Sequence, residues 1–142
     1  MTKKELVEKL KERINDQERE ALKDPESGLV IGKYNREIIQ GMLEEDFAAN
    51  DAVDESRLTD LEDCLSSYLN QYMEQKEGHK WVIIASIYNA IVLEVPIHPI
   101  EVTKIKVSED EKGKKTYTCD YKEETEDSVC NYCVCKKRPW DQ

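Results

Sequence analysis

The chain has 142 residues, of which 37% are charged and 39% hydrophobic, with a formal net charge of −10 at pH 7. Its length suits one domain and suffices to bury an apolar core without help from a metal or a disulfide. The negative charge repels phosphate backbones, which disfavours nucleic acid, and no stretch reaches the ~18 apolar residues of a membrane span.

The first half of the chain shows helical periodicity. Thr2 and Glu5 have the spacing of a capping box, in which each side chain satisfies the other residue's backbone amide. The apolar residues that follow predict one helix ending near Pro25 and Gly28. Its inward stripe consists of Leu6, Leu10, Ile14 and Ala21. A second helix is predicted over about 33–47. Its inward residues are Tyr34, Ile38, Met42 and Phe47.

Two more helices are predicted after a linker at residues 48–56. The third carries an apolar stripe with spacings of three and four residues. That stripe is Leu58, Leu61, Leu65, Tyr68 and Tyr72. Residues 79–95 are apolar almost all round, and their many β-branched side chains raise the alternative of a strand. Because such a length without a turn exceeds an ordinary strand, we predict a central helix that Pro96 ends.

The pattern changes in the last third of the chain. Residues 101–119 alternate apolar and polar side chains on both sides of a turn, which predicts a β-hairpin that ends at Cys119. The predicted fold is therefore mainly α, with about four helices packed around a central apolar helix, a small C-terminal hairpin and a cysteine-rich loop. We predict a single domain, 1–142, comprising a helical part, 1–95, and a hairpin and metal-binding tail, 96–142.

The cysteines indicate a metal site. Four of the five fall within one short stretch and are Cys119, Cys130, Cys133 and Cys135. The N-terminus has no apolar run typical of a signal peptide, so we expect a cytoplasmic protein whose thiols stay reduced. An odd number of cysteines also favours a metal over disulfides. Four thiolate or imidazole ligands are what structural Zn²⁺ requires.

The spacing leaves two possible sets of zinc ligands. Cys130 and Cys133 form a C-x-x-C turn, which aims two sulfurs at one point, and Cys119 at the end of the hairpin supplies a third. The fourth ligand is either Cys135, which is near in sequence, or His98. His98 stands between two prolines, which restrict where its ring can point.

Other functions have weaker signals. A redox pair of Cys130 and Cys133 would be expected at the start of a helix, and almost no residues follow the pair to form one. The spacing does not match iron–sulfur runs of the ferredoxin type. A zinc-dependent hydrolytic enzyme would need an open metal position and a nearby base, for which Glu94 and Glu101 flank the His98 turn. The sequence contains no phosphate-binding loop and no nucleophile elbow.

The remaining reactive or charged residues have ordinary structural interpretations. Cys64 lies beside a helical stripe, where we expect a buried thiol that acts as a small hydrophobe. His79 is interpreted as a surface residue. The acidic run 44–46 and the basic run 136–138 are interpreted as solvated.

Three motifs resemble a family of methanogenic archaea known as a domain of unknown function, the two-one-one-five family. The family has a hydrophobic helix that ends in an HP turn, a hairpin, a YYCPxK block and a CxFC block. The resemblance covers roughly residues 55–135. The matching residues are His98, Pro99, Tyr117, Cys119, Lys122, Cys130 and Cys133.

The chain departs from this pattern at several positions. Asp120 replaces the proline after the first cysteine, Tyr132 replaces the phenylalanine, and the glycine after the HP pair is missing. Cys135 does not correspond to any cysteine in the family's pattern, so the resemblance favours His98 as the fourth ligand. It implies an archaeal cytoplasmic protein and no particular activity. We therefore expect a zinc-stabilised module that binds a protein partner or regulates one.

Overall fold

The computed structural model describes residues 1–97, 105–119, 132 and 136–137. In this part of the chain the structure is mainly helical and includes a small antiparallel hairpin, which confirms the predicted fold class. The assignment of the whole chain to one domain stays a prediction.

The helices occupy the N-terminal two thirds of the chain. They are α1 (Lys3–Glu12), α2 (Asp16–Lys23), α3 (Lys33–Glu44), α4 (Glu55–Tyr72) and α5 (His79–Ile87). A 3-10 turn (Lys76–Gly78) precedes α5, and a π-helical segment (Tyr88–Leu93) continues it. The strands are β1 (Ile105–Glu109), β2 (Lys115–Cys119) and β3 (Lys136–Lys137). They form one sheet in the order β1-β2-β3, in which β1 and β2 are antiparallel and β2 and β3 parallel.

The first predicted helix is two helices. The capping box of Thr2 and Glu5 is present as predicted, but the first helix ends at Glu12. Asn15 is the N-cap residue of a second helix. The Asn15 side chain accepts a hydrogen bond from the backbone of Glu18 at 2.7 Å, and the Glu18 carboxylate accepts one from the Asn15 amide at 3.1 Å. This second capping box starts a new helix and turns the chain.

Polar contacts to backbone carbonyls hold the helix ends together. Arg19 donates to the carbonyls of Ile14 and Lys11 near the end of α1. Arg36 of α3 donates to the Leu22 carbonyl at 2.7 Å. Carbonyls at a helix end have no partner within their own helix, so the arginines satisfy groups that would otherwise need water.

Helix α3 is shorter than predicted. It ends at Glu44, so Phe47 lies beyond it. The fully buried side chains of this helix are Ile39 and Met42, of which only Met42 was predicted to face inward. The other residues predicted to face inward are half-buried and are Tyr34, Ile38 and Phe47.

Helix α4 differs from its predicted stripe at the C-terminal end. Leu61 and Leu65 are buried as predicted, but Tyr68 is 51% exposed and Tyr72 is 66% exposed. The two tyrosine rings contact each other, with centroids 4.9 Å apart. Leu69 is the buried residue of this last stretch. The period of the apolar pattern defines a face of the helix, but the core does not extend along the whole of that face.

The predicted central helix is confirmed. Residues 84–92 are buried without interruption, and α5 packs against α3 and α4 while the π-helical segment packs against α1. The helix ends at Leu93, ahead of Pro96, and Glu94 closes it in the left-handed conformation at φ 53°. Proline cannot continue a helix because it has no amide hydrogen and its ring crowds the preceding turn.

Candidate functional site

The small sheet brings the base of the hairpin beside the last described segment of the chain. Cys119 ends β2, where it lies opposite Ile105 of β1 and Lys137 of β3. The neighbouring pair is Thr118 and Lys136. Over residues 106–119, Cys119 is the buried residue, at 9% exposed. The chain therefore returns to Cys119 immediately after the cysteine-rich stretch.

The rest of the hairpin faces solvent. Every side chain over residues 106–116 is exposed, including the apolar Val107 at 43%. The turn is ordered locally, because the Asp110 carboxylate accepts hydrogen bonds from the amides of Lys112 and Lys114, both at 2.9 Å. The described part of the hairpin is thus anchored at its base and not by an apolar face.

A second anchor lies between Cys130 and Cys133 in the sequence. Tyr132 packs its half-buried ring against the helical core. Arg57, in the first turn of α4, donates from Nη2 to the Tyr132 carbonyl oxygen at 3.0 Å. The guanidinium carbon of Arg57 also lies 5.7 Å from the centroid of the Tyr132 ring, within the range of a cation–π contact.

The surroundings of Tyr132 also include Cys64. Burial is the largest cause that raises the pKa of the Tyr132 hydroxyl, followed by the charge of Asp60 and the influence of Cys64, while Arg57 opposes the rise. Cys64 is half-buried and not the fully buried thiol that the sequence predicts. It lies on α4, near enough to Tyr132 to influence the pKa of its hydroxyl.

Most of the predicted metal ligands lie outside the described residues. Cys119 is described, whereas His98, Cys130, Cys133 and Cys135 are not. Among the described residues, no group of three or more His, Cys, Asp and Glu side chains could hold a metal ion. The predicted ligand sets therefore stay predictions, and the described part of the chain contributes Cys119 and the residues that flank the others.

The residues with other predicted roles have identifiable contacts. His79 is half-buried rather than on the surface, and its Nε2 lies 2.8 Å from the Met73 carbonyl oxygen. The acidic run 44–46 is exposed, as predicted. Glu94, the candidate base of the enzymatic alternative, forms an ion pair with Lys3 at 3.5 Å. Glu101, the other candidate base, lies outside the described residues.

A separate open cleft of about 280 Å³ lies between the start of α3 and the turn before α5. The described residues that line it include Gly32, Asn35, Met73, Gly78 and Trp81, and none of its described lining residues is ionisable. The cleft therefore offers no acid, base or nucleophile from these residues. Among the described residues, no helix combines the length and the apolar composition that a transmembrane span requires.

Comparison with known proteins identifies a family. A family model described as an uncharacterized protein conserved in archaea (DUF2115) matches residues 1–138, a longer stretch than the motifs alone indicate. A search of curated proteins found no match. A search of solved structures found none either.

Proposed function

The chain belongs to the archaeal family DUF2115, and we propose that it is a zinc-binding protein in which the metal is structural. The zinc holds the C-terminal hairpin and cysteine-rich loop to the helical part. The stiffened region serves as a module that binds a protein partner or regulates one, in a reducing cytoplasm where the thiols remain available to the metal.

One observation carries this proposal: β3 lies beside Cys119 in the sheet. Neighbouring strands are about 4.8 Å apart, and consecutive Cα atoms are about 3.8 Å apart. Cys135 adjoins Lys136 in the sequence, and Cys133 is two residues before Cys135. On these spacings, we propose that thiols of this stretch share a cation with Cys119.

The exposure of the hairpin supports the same proposal. Isolated two-stranded hairpins are marginally stable, and the side chains over residues 106–116 bury no apolar face that would compensate. Coordination of zinc by structural thiolates contributes on the order of 10 kcal/mol of apparent binding free energy at neutral pH. A metal bound at Cys119 would therefore supply at the base of the hairpin the stabilisation that its faces lack.

The proposed ligands are His98, Cys119, Cys130 and Cys133, with Cys135 as the alternative fourth ligand. Ile97, which directly precedes His98, is half-buried and packs against the helical core. The residue directly before His98 is thus held against the helical core. Three thiolates and a neutral imidazole would leave the zinc centre with a charge of −1.

The first test is the metal content of cysteine variants. Cys130→Ser or Cys133→Ser should reduce the zinc that remains bound after dialysis from one equivalent to almost none. Hydrogen exchange should become faster in residues 105–119, while the helices keep their protection. Cys64→Ser serves as the control and should retain zinc. Unchanged zinc content in both ligand variants would contradict the proposal.

The fourth ligand and the type of site need a separate measurement. His98→Ala and Cys135→Ser should differ, since only the true ligand weakens zinc binding when it is removed. X-ray absorption at the zinc edge would count sulfur and nitrogen neighbours. Four protein ligands support a structural site, whereas a bound water at the fourth position would favour the hydrolytic alternative.

A further inference from the structure

We infer that Arg57 is a positioning residue for the metal site, because it holds Tyr132 and thereby orients the C-x-x-C turn before zinc binds. This inference rests on the proposed function. It adds a residue from α4, remote in sequence, that raises the affinity for zinc without coordinating it.

The contacts of Arg57 fix Tyr132 in two independent ways. The hydrogen bond from Nη2, at 3.0 Å, holds the backbone carbonyl. The cation–π contact, at 5.7 Å, and the packing against the helical core hold the ring. A residue whose main chain and side chain are both held has little freedom to rotate. Arginine suits this role because its planar guanidinium donates hydrogen bonds within its plane and can also stack on an aromatic ring.

Arg57 is itself held by a stable element. Its backbone amide donates to the Asp54 carboxylate at 3.1 Å, the cap that begins α4. Leu61 and Leu65 then bury α4 against the core. The helical part of the protein therefore holds Tyr132 in position.

The position of Tyr132 in the sequence connects these contacts to the metal. It follows Cys130 by two residues and precedes Cys133 by one. A C-x-x-C loop that must be ordered on binding loses conformational entropy, which lowers affinity, whereas a loop that is already oriented loses less. Groups that orient metal ligands change metal affinity by about 10–100-fold when they are removed.

The experiment compares zinc dissociation constants by competition with a chromophoric chelator at fixed pH and salt. Arg57→Ala should weaken zinc binding by about 10-fold or more, and Arg57→Lys should recover only part of the loss. Arg13→Ala is the matched control, because Arg13 also contacts α4, through Glu62 at 2.7 Å, but is not a described contact of Tyr132. It should bind zinc as the wild type does.

A spectroscopic readout separates positioning from coordination and from general destabilisation. The Co²⁺-substituted Arg57→Ala protein should keep the absorption bands of the wild type, because the ligand set is unchanged. A second variant, Tyr132→Ala, should lose affinity to a similar extent. Its helical circular dichroism should match that of the wild type.

The outcomes distinguish the two proposals. If the wild type binds zinc and Arg57→Ala binds it equally well, the role of Arg57 is overturned and the zinc site stands. Equal losses in Arg57→Ala and Arg13→Ala would also overturn it, since a general charge effect would then explain both. If the wild type binds no zinc, the proposed function fails, and the inference fails with it.

Discussion

At the scale of single residues, Glu18 performs two structural tasks. Its carboxylate completes the capping box with Asn15 and also accepts hydrogen bonds from the Lys80 ammonium at 2.8 and 3.0 Å. Partial burial works to raise the pKa of this carboxyl, but the bonds from Lys80 and Asn15 outweigh burial and hold the pKa below its usual value. The pair thus joins α2 to α5 in the ionised state.

We expect Glu18→Gln to remove this charge while an amide oxygen keeps the capping bond. Because the folded pKa is lowered, the stabilisation is present above the unfolded value of about 4.3 and is lost as the pH falls through the folded pKa. The variant should lose about 0.5–1 kcal/mol of unfolding free energy at pH 7.

Urea denaturation at neutral and at acidic pH would check this prediction, since the wild type and the variant should converge in acid. Glu20→Gln is the control, because Glu20 pairs with Lys23 where both side chains are mostly exposed. A variant that remained less stable than the wild type at a pH below the folded pKa would contradict the electrostatic explanation.

At the scale of secondary-structure elements, the connection between α4 and α5 depends on a close approach. Gly78 is buried at the end of the 3-10 turn. A Cβ atom there would lie 2.5 Å from the Met73 side chain and 2.9 Å from that of Val30. The turn, the end of α4 and the segment before α3 meet at this point, so a glycine lets three stretches of chain pack together.

Gly78→Ala should therefore destabilise the protein by about 1–3 kcal/mol through overpacking. Gly41→Ala is the matched control, since Gly41 lies in α3 and a Cβ atom added to it would meet nothing within 4 Å. That change should stabilise the helix by about 0.5–1 kcal/mol. Chemical denaturation of both variants would measure the difference. Equal effects of the same sign would show that helix propensity, and not packing, decides at Gly78.

The π-helical segment is a second feature at this scale. Asn89 is buried there, donates to the Tyr34 hydroxyl at 3.3 Å, and accepts from the Val95 amide at its backbone carbonyl. Its side-chain oxygen has no hydrogen-bond partner among the described residues. Leaving a buried oxygen without any partner costs about 1–3 kcal/mol, which is why buried amide oxygens generally bond to protein groups or to ordered water.

At the scale of the whole molecule, stability is concentrated in the helical part. The core is a continuous cluster that runs from α1 to the π-helical segment and includes Leu10, Ile39, Leu61 and Trp81. The described hairpin, in contrast, is exposed over residues 106–116. Because burial of apolar surface is the main favourable contribution to folding, the helical part should determine the global unfolding transition.

Leu10→Ala should lower the unfolding free energy by about 2–5 kcal/mol, because Leu10 is fully buried. Val107→Ala, a comparable truncation in the hairpin, should change it by less than about 0.5 kcal/mol. Thermal melts followed by far-ultraviolet circular dichroism would compare them. A large loss in Val107→Ala would mean that the hairpin packs into the cooperative core.

Features that depend on neighbours a few residues apart are predictable from the sequence. The Thr2 capping box, the apolar period of α4 as far as Leu65, and the antiparallel hairpin of β1 and β2 all agree with the structure. The break before α2 has a signal as well, since Asn15 and Glu18 have capping-box spacing. This signal is easily overlooked, because the apolar stripe of the first predicted helix continues to Ile14, directly before Asn15.

For this protein, then, the sequence by itself determined the mainly helical class, the central position of the apolar segment, the hairpin and the cysteines that could bind a metal. Only the tertiary structure decided that Tyr68 and Tyr72 are exposed, that β3 lies parallel beside Cys119, and that Arg57 holds Tyr132. The physical reason is the separation along the sequence over which each interaction acts. Capping bonds and side-chain periods act within about four residues, whereas Arg57 and Tyr132 are 75 residues apart and meet only once the core has formed.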